Sequence, residues 1–89
     1  MVWRIELSAL GQKNIHQLDP LNRRRVLKFL SERVAVLEDP RSLGEALKGS
    51  KLGNFWKYRV GDYRIIADIQ DGAVCILIVR VGNRRDVYR

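Results

Sequence analysis

The chain has 89 residues, which is the size of one domain, and 46% of them are hydrophobic, a share that excludes wholesale disorder. Seventeen Lys and Arg against ten Asp and Glu give a net charge of +7, and the 49 residues after position 40 account for +5 of it. A positive field of this size favours a polyanionic partner, such as nucleic acid, an acidic protein or an anionic membrane surface, unless the charge serves only solubility.

The first predicted element is a strand over residues 2–7, where Val, Trp and Ile alternate weakly with other residues. Arg4 and Glu6 interrupt the continuous apolar run that a signal peptide requires. No apolar stretch of the sequence approaches the roughly 20 residues of a membrane span. We therefore expect a cytoplasmic protein that does not interact with a membrane.

Two predicted helices follow. Ser8 can cap a short helix over about residues 9–18, although Gly11 weakens this prediction. Asp19-Pro20 favours the start of a second helix, because Asp accepts hydrogen bonds from free N–H groups and Pro is tolerated at the first helical position. Asp39-Pro40 is predicted to end it, because the residue before proline avoids helical geometry. The apolar face of this helix comprises Val26, Leu30, Val34 and Leu37, with Leu27 beside it.

Residues 41–53 are predicted to form a loop, with one helical turn around residues 43–47. Three strands are predicted next, over residues 54–60, 62–70 and 73–81. Gly61-Asp62 separates the first two. Asp71-Gly72 separates the last two and predicts a tight hairpin, because both central positions can take a positive φ.

The order of a strand, two helices and a three-stranded meander predicts an α+β fold. In it, the N-terminal strand and the two helices pack on a mainly antiparallel sheet, and residues 1–89 form a single domain. The last strand is apolar almost throughout, which favours a central position in the sheet. Cys75, the sole cysteine, lies in this strand as a small buried hydrophobe and excludes an internal disulfide.

The first hairpin of the meander carries the residues that indicate chemistry. Lys57 and Arg59 share one strand face. A turn at Gly61-Asp62 pairs Arg59 with Arg64, and a turn at Val60-Gly61 pairs Lys57 with Arg64, so both place the three cations together. A three-residue loop would separate them. The shared face is either a phosphate site or a solvated sheet face. The opposite face, expected to pack on the helices, carries Trp56, Tyr58, Tyr63, Ile65 and Ile69.

The C-terminal residues 82–89 combine a cluster of arginines with Tyr88, whose ring can stack on an unpaired base while arginines hold the backbone. His16 is the sole histidine and is interpreted as a surface or packing residue. The sequence has no Cys/His cluster for zinc, no phosphate-binding loop and no carboxylate cluster for magnesium. A nuclease built on this chain is therefore expected to work without a metal or cofactor.

Three runs of the sequence resemble the RelE/ParE toxin superfamily. They are Leu47-Lys48-Gly49, the block from Phe55 to Ile65 (FWKYRVGDYRI) and the block from Val79 to Tyr88 (VRVGNRRDVY), and the resemblance covers essentially the whole chain. It implies a type II toxin–antitoxin system and a RelE-like mRNA interferase. Such a toxin enters the ribosomal A site and cleaves mRNA by attack of a ribose 2′-hydroxyl on the adjacent phosphate.

The resemblance also implies roles for particular residues. Lys57 matches a lysine proposed as general base, and the charges of its arginine neighbours would favour its neutral form. Arg64 matches an arginine that stabilises the charge on the reacting phosphate. Arg84 matches a general acid or leaving-group stabiliser, and Tyr88 matches a tyrosine that stacks on the substrate base. The other cations expected to bind RNA are Arg59, Lys48, Lys51, Arg85 and Arg89.

One position departs from the family pattern, because Phe55 stands where the pattern has a basic residue. Lys51 or Lys48 is a candidate to supply that missing charge. The implied partners are a cognate antitoxin and the ribosome, with its 16S rRNA and A-site mRNA. The toxin–antitoxin complex is expected to bind operator DNA through the antitoxin. Two alternatives remain: a ParE-like toxin that inhibits DNA gyrase without RNA cleavage, and a non-catalytic module that binds RNA or the antitoxin.

Overall fold

The computed structural model describes residues 2–47, 55–83 and 85. In this part of the chain, two helices pack on a five-stranded mixed sheet, which confirms the predicted α+β class. The strand order is β1-β5-β4-β3-β2. Strand β1 runs parallel to β5, and the other neighbours are antiparallel. The elements are β1 (Arg4–Leu7), α1 (Ala9–His16), α2 (Pro20–Phe29), β2 (Glu45–Ala46), β3 (Phe55–Val60), β4 (Tyr63–Gln70) and β5 (Cys75–Asn83).

Helix α1 begins at the predicted cap, where the Ser8 hydroxyl accepts a 2.9 Å hydrogen bond from the Gly11 N–H. It ends at His16, two residues earlier than predicted. Gly11, which weakened the prediction, is required by packing, because a Cβ at this position would collide with the Ile78 carbonyl oxygen on β5. The close approach of helix and strand therefore depends on glycine.

Helix α2 begins at Pro20 with Asp19 as its cap, as predicted. Its regular part ends at Phe29, and one π-helical turn, Leu30–Val34, completes it. The prediction that the helix continues to Asp39-Pro40 was therefore wrong. The Ala35 carbonyl accepts a 2.7 Å hydrogen bond from the Trp3 N–H, so the N-terminal segment supplies the donor that a continuing helix would have supplied.

The segment after α2 also differs from its prediction. The turn expected around residues 43–47 is absent from this described segment, where a 3₁₀ turn spans Pro40–Ser42 and β2 follows. Gly44 has a φ of +93°, and a Cβ there would collide with the Lys57 carbonyl oxygen. The backbone thus lies directly against β3. Side chains of β3 fix it, because the Tyr58 hydroxyl donates to the Pro40 carbonyl and the Trp56 indole to the Leu43 carbonyl.

The two hairpins have different turns. Gly61-Asp62 forms the predicted two-residue turn, with Val60 opposite Tyr63 and Gly61 at a φ of +59°. The tight Asp71-Gly72 turn was a wrong prediction. A 3₁₀ turn spans Asp71–Ala73, Val74 takes the left-handed conformation, and β5 begins at Cys75.

The main core lies between the helices and one face of the sheet, and it includes Tyr58, Ile65 and Ile69 with Trp56 and Tyr63 packed against it. This confirms the predicted helix-packing face. Strand β5 has a neighbour on each side, as expected from its apolar sequence, and Cys75 is buried within it. No helix in the described residues is long and apolar enough to cross a membrane. The other residues of the main core are Trp3, Ile15, Leu18, Val26, Leu30, Val34, Ala67, Ile76, Ile78 and Val81.

Candidate RNA-binding and catalytic face

The outer face of the sheet, which points away from the helices, gathers the basic residues of the first hairpin. Arg59 lies directly opposite Arg64, as the first of the predicted registers requires. Lys57 lies two residues from Arg59 on the same strand and therefore on the same face. The sequence thus predicted the grouping of three cations correctly. Like charges opposite each other destabilise a strand pair by roughly 0.2–1 kcal/mol, so this arrangement is one that a bound anion would relieve.

These cations surround a small cavity of about 50 Å³. Lys57 and Arg64 are half-buried and Arg59 is exposed, so solvent and ligands can reach all three side chains. The described residues that line the cavity are Gly44, Glu45, Lys57, Tyr58, Arg59 and Arg64. One carboxylate therefore lies among three cationic side chains.

Glu45 supplies that carboxylate and was not predicted from the sequence. It lies opposite Lys57 in the β2–β3 ladder, and its Oε2 is 3.5 Å from the Lys57 Nζ. The exposed fractions are 66% for the Glu45 side chain and 31% for that of Lys57. The sequence placed Glu45 in a loop, and only the pairing of β2 with β3 brings it to the cavity.

The Arg64 side chain bends over the hairpin turn. Its Nη1 is 3.4 Å from the carbonyl oxygen of Gly61 and 3.2 Å from the carbonyl oxygen of the preceding residue, Tyr63. A guanidinium group has five N–H donors in a fixed plane, so these contacts orient the group while leaving other donors for a phosphate. On the helix side of the turn, the Arg25 guanidinium lies close to Gly61, within 3.1 Å of where a Cβ would be. The basic surface therefore extends onto α2.

Arg80 joins the outer face through a β-bulge and was missed as a site residue. Ile66 pairs with Arg80 and Ala67 with Ile78, so Val79 is the extra residue. Regular alternation would place Arg80 on the core side with Ile78, whereas the bulge turns it outward, beside the Arg64–Gly82 pair.

Polar side chains of helix α1 and its cap hold the bulge. The Ser8 hydroxyl donates to the Val79 carbonyl at 3.1 Å, and the Asn14 Oδ1 accepts from the Val81 N–H at 3.0 Å. The pattern of Ser8 and Asn14 gives no local sign of this contact, which depends on the packing of α1 against β5. The outward direction of Arg80 is therefore a tertiary effect.

Phe55 lies on the same face as Lys57 and packs against Leu47 and Ile66, which are both buried. This small cluster lies outside the main core. Phe55, where the family resemblance predicts a basic residue, thus gives the cationic face an apolar border. The proposed substitutes Lys48 and Lys51 lie outside the described residues.

The remaining predicted site residues are in the C-terminal segment. Arg85 is exposed, and its backbone N–H donates to the Asn83 Oδ1 at 2.9 Å. Arg84, Tyr88 and Arg89 lie outside the described residues. The described geometry therefore concerns the strand part of the predicted site.

Tyr58 also lines the cavity, and its side chain packs in the main core. Its hydroxyl donates a 2.7 Å hydrogen bond to the Pro40 carbonyl. Burial raises the pKa of Tyr58 well above its usual range. A neutral, buried tyrosine of this kind holds the cavity wall in place and does not exchange protons with a ligand near neutral pH.

Comparison with known proteins identifies the family. A family model described as the ParE toxin of type II toxin–antitoxin system, parDE, matches residues 9–88. Toxin RelG of Mycobacterium tuberculosis is 27% identical over 89 residues, which are 100% of this chain and 99% of that protein.

Two solved structures share the fold over nearly the full length. The toxin–antitoxin complex RelBE2 of M. tuberculosis contains a chain with a TM-score of 0.84 and 23% identity, and the match covers 97% of this chain and 95% of that one. A free variant of E. coli toxin RelE with two arginines replaced by alanine has a TM-score of 0.77 and 25% identity, over 99% of this chain and 92% of that one. The chain therefore belongs to the RelE/ParE superfamily and is a toxin of a type II toxin–antitoxin system.

Proposed function

We propose that this toxin is a metal-independent endoribonuclease that cleaves mRNA in the ribosomal A site by 2′-hydroxyl attack and thereby inhibits translation. The observation that carries the proposal is the convergence of Lys57, Arg59 and Arg64 on one small cavity of the outer sheet face. Phosphate oxygens gain negative charge during such an attack, and fixed cations stabilise that charge. The whole chain, residues 1–89, acts as one toxin domain in this proposal.

The cationic residues have separate roles. Arg64, oriented by two backbone carbonyls, presents a planar fork to two phosphate oxygens, while Lys57 supplies a point charge. Arg59 adds RNA affinity on the exposed side. Arg84 and Tyr88 complete the proposed catalytic set, as leaving-group stabiliser and base-stacking residue. Lys48, Lys51, Arg85 and Arg89 are proposed to bind the RNA backbone.

The proposed protein partner is a cognate antitoxin. Several solved structures of similar fold are described as toxin–antitoxin or RelB–RelE complexes. A partner that neutralises a chain of net charge +7 has an acidic or amphipathic contact segment. The ribosome is the proposed target, and operator DNA is proposed to be bound by the complex through the antitoxin.

The testing experiment is primer extension on mRNA after brief induction of the toxin in bacteria. We expect cuts in phase with codons within translated regions, absent when translation initiation is blocked and absent in the double variant Lys57→Ala, Arg64→Ala. The matched control is Lys13→Ala, Arg33→Ala, which removes one exposed Lys and one exposed Arg outside the sheet's outer face and is expected to leave the cuts unchanged.

Two outcomes would contradict the proposal. Undiminished cutting by the Lys57, Arg64 variant at matched protein level would remove the catalytic assignment of the cavity. Growth arrest without any cuts would favour the second candidate, a gyrase inhibitor, which the ParE description of the matching family supports. Loss of DNA supercoiling by gyrase in the presence of the toxin would then identify that target.

A further inference from the structure

We infer that Glu45 is the general base of this toxin, the group that takes the proton from the attacking 2′-hydroxyl. The inference rests on the proposed RNA cleavage and reassigns the proton acceptor within the same site. Its starting point is the position of the Glu45 carboxylate, 3.5 Å from Lys57 and on the wall of the cavity that Arg59 and Arg64 also line.

Glu45 is the only suitable proton acceptor among the described side chains of the cavity. The guanidinium groups of Arg59 and Arg64 stay protonated and have no acceptor atom. The Lys57 ammonium, paired with a carboxylate, is likewise a donor. The Tyr58 hydroxyl is buried and donates to the Pro40 carbonyl. An ionised carboxylate, in contrast, has several lone pairs available.

The position of the carboxylate is fixed by backbone structure. Glu45 pairs with Lys57 and Ala46 with Trp56, and the Leu47 N–H donates to the Phe55 carbonyl at 3.0 Å. Gly44 permits this close approach, because a Cβ there would collide with the Lys57 carbonyl oxygen. The side chain is nevertheless 66% exposed, so an RNA lying on the face can reach it.

A carboxylate at this point is costly for RNA affinity, because it repels the phosphate that the three cations attract. A role in proton transfer accounts for its presence. The charged groups that line the cavity together with Glu45 are Lys57 and Arg59 of β3 and Arg64 of β4. Lys57 then acts as an electrostatic anchor, which holds both the carboxylate and the phosphate.

The reaction balances without a cofactor. Glu45 takes the 2′-hydroxyl proton while the 2′-oxygen forms a bond to phosphorus. The bond from phosphorus to the 5′-oxygen breaks, and that oxygen takes a proton from water. The products are a 2′,3′-cyclic phosphate and a 5′-hydroxyl. Because Glu45 is exposed, its proton returns to solvent before the next cycle.

The test uses the full chain and ribosomes programmed with a short mRNA, with cleavage measured under single-turnover conditions near neutral pH. We expect Glu45→Gln to lower the cleavage rate by about 100- to 10,000-fold, the usual contribution of a positioned base. Binding to the programmed ribosome should stay equal or tighten, because a negative charge is removed. The conservative variant Glu45→Asp should retain part of the rate. Glu32→Gln, at another exposed carboxylate that is paired with a lysine, should match the wild type.

Rate and binding together separate a base from a structural residue. The Gln variant should lose rate while its binding to the programmed ribosome stays equal or tightens, whereas a residue that only supports the site would lose both. A Gln variant that cuts as fast as the wild type, or faster with tighter binding, would show that Glu45 is only a counter-charge to Lys57. Failure of the wild type itself to cut would instead overturn the proposed function, and the base assignment with it. A lowered melting temperature of the Gln variant, with Asp no better than Gln, would also overturn the assignment.

Discussion

At the scale of single residues, Arg41 joins two loops that are distant in sequence. Its Nη1 and Nη2 donate to the two carboxylate oxygens of Asp71 at 3.0 and 2.7 Å. The hydrogen bonds from this guanidinium lower the pKa of Asp71. A carboxylate whose folded-state pKa is depressed stabilises the fold above its unfolded pKa, and this contribution is lost as the pH falls through the folded value.

We therefore expect Asp71→Asn to have a lower melting temperature than the wild type at pH 7, with the difference shrinking as the pH falls below about 4, the ordinary range of Asp. Thermal unfolding followed by circular dichroism between pH 7 and pH 2 measures it. The control is Asp62→Asn, in the exposed turn of the first hairpin. Arg41 donates to Asp71 and not to Asp62, so we expect this variant to show no such pH-dependent difference. A difference that is the same at every pH would mean that the charge of Asp71 does not contribute.

The same scale shows which site residues the sequence can predict. Period-two alternation and a two-residue turn were sufficient to group Lys57, Arg59 and Arg64. The positions of Glu45 and Arg80 in the site could not be predicted from the sequence. Glu45 depends on the pairing of a two-residue strand, and Arg80 depends on a bulge that reverses the alternation of β5. Neither feature leaves a local pattern in the sequence.

At the scale of elements, local signals were reliable where a side chain acts on its own backbone. Ser8 and Asp19 cap the two helices as predicted, and Gly61 provides the positive φ of the first hairpin. Two predictions at the ends of elements were wrong. The helix that begins at Pro20 stops before Asp39-Pro40, where the Ala35 carbonyl accepts from the distant Trp3 N–H. The second hairpin has its left-handed residue at Val74 and not at Gly72.

Gly11 provides a test of how α1 is held against the sheet. Replacement by Ala improves helix propensity by roughly 1 kcal/mol, but the added Cβ collides with the Ile78 carbonyl oxygen. Because the obstacle is backbone, we expect Gly11→Ala to lower the free energy of unfolding, by about 1–3 kcal/mol. Urea denaturation measures this. The neighbouring, exposed Gln12→Ala should change it little, and a more stable Gly11→Ala would show that α1 can move away from β5.

At the scale of the whole molecule, the cations of the outer face form one surface across β3, β4 and β5. Arg80 belongs to this surface because the bulge turns its side chain outward. Each phosphate contact on single-stranded RNA contributes a slope of roughly −0.7 to the dependence of log affinity on log salt.

We therefore expect Arg80→Ala to weaken binding of a single-stranded RNA oligonucleotide and to reduce that slope by about 0.7. Titrations at several salt concentrations measure it. Arg33→Ala, at an exposed arginine in the π-helical turn after α2, should leave the slope unchanged. An unchanged slope for Arg80→Ala as well would place the RNA path away from β5.

The two faces of the sheet have different roles. One face is buried beneath the helices in the main core, and the other carries the three cations and the Glu45 carboxylate. A substitution on the outer face therefore changes few core contacts. Such a scaffold can change its target during evolution while its folding remains nearly constant. Descendants of one ancestral toxin can thus come to act on different cellular machines through exchanges of a few surface side chains on β2, β3, β4 and β5.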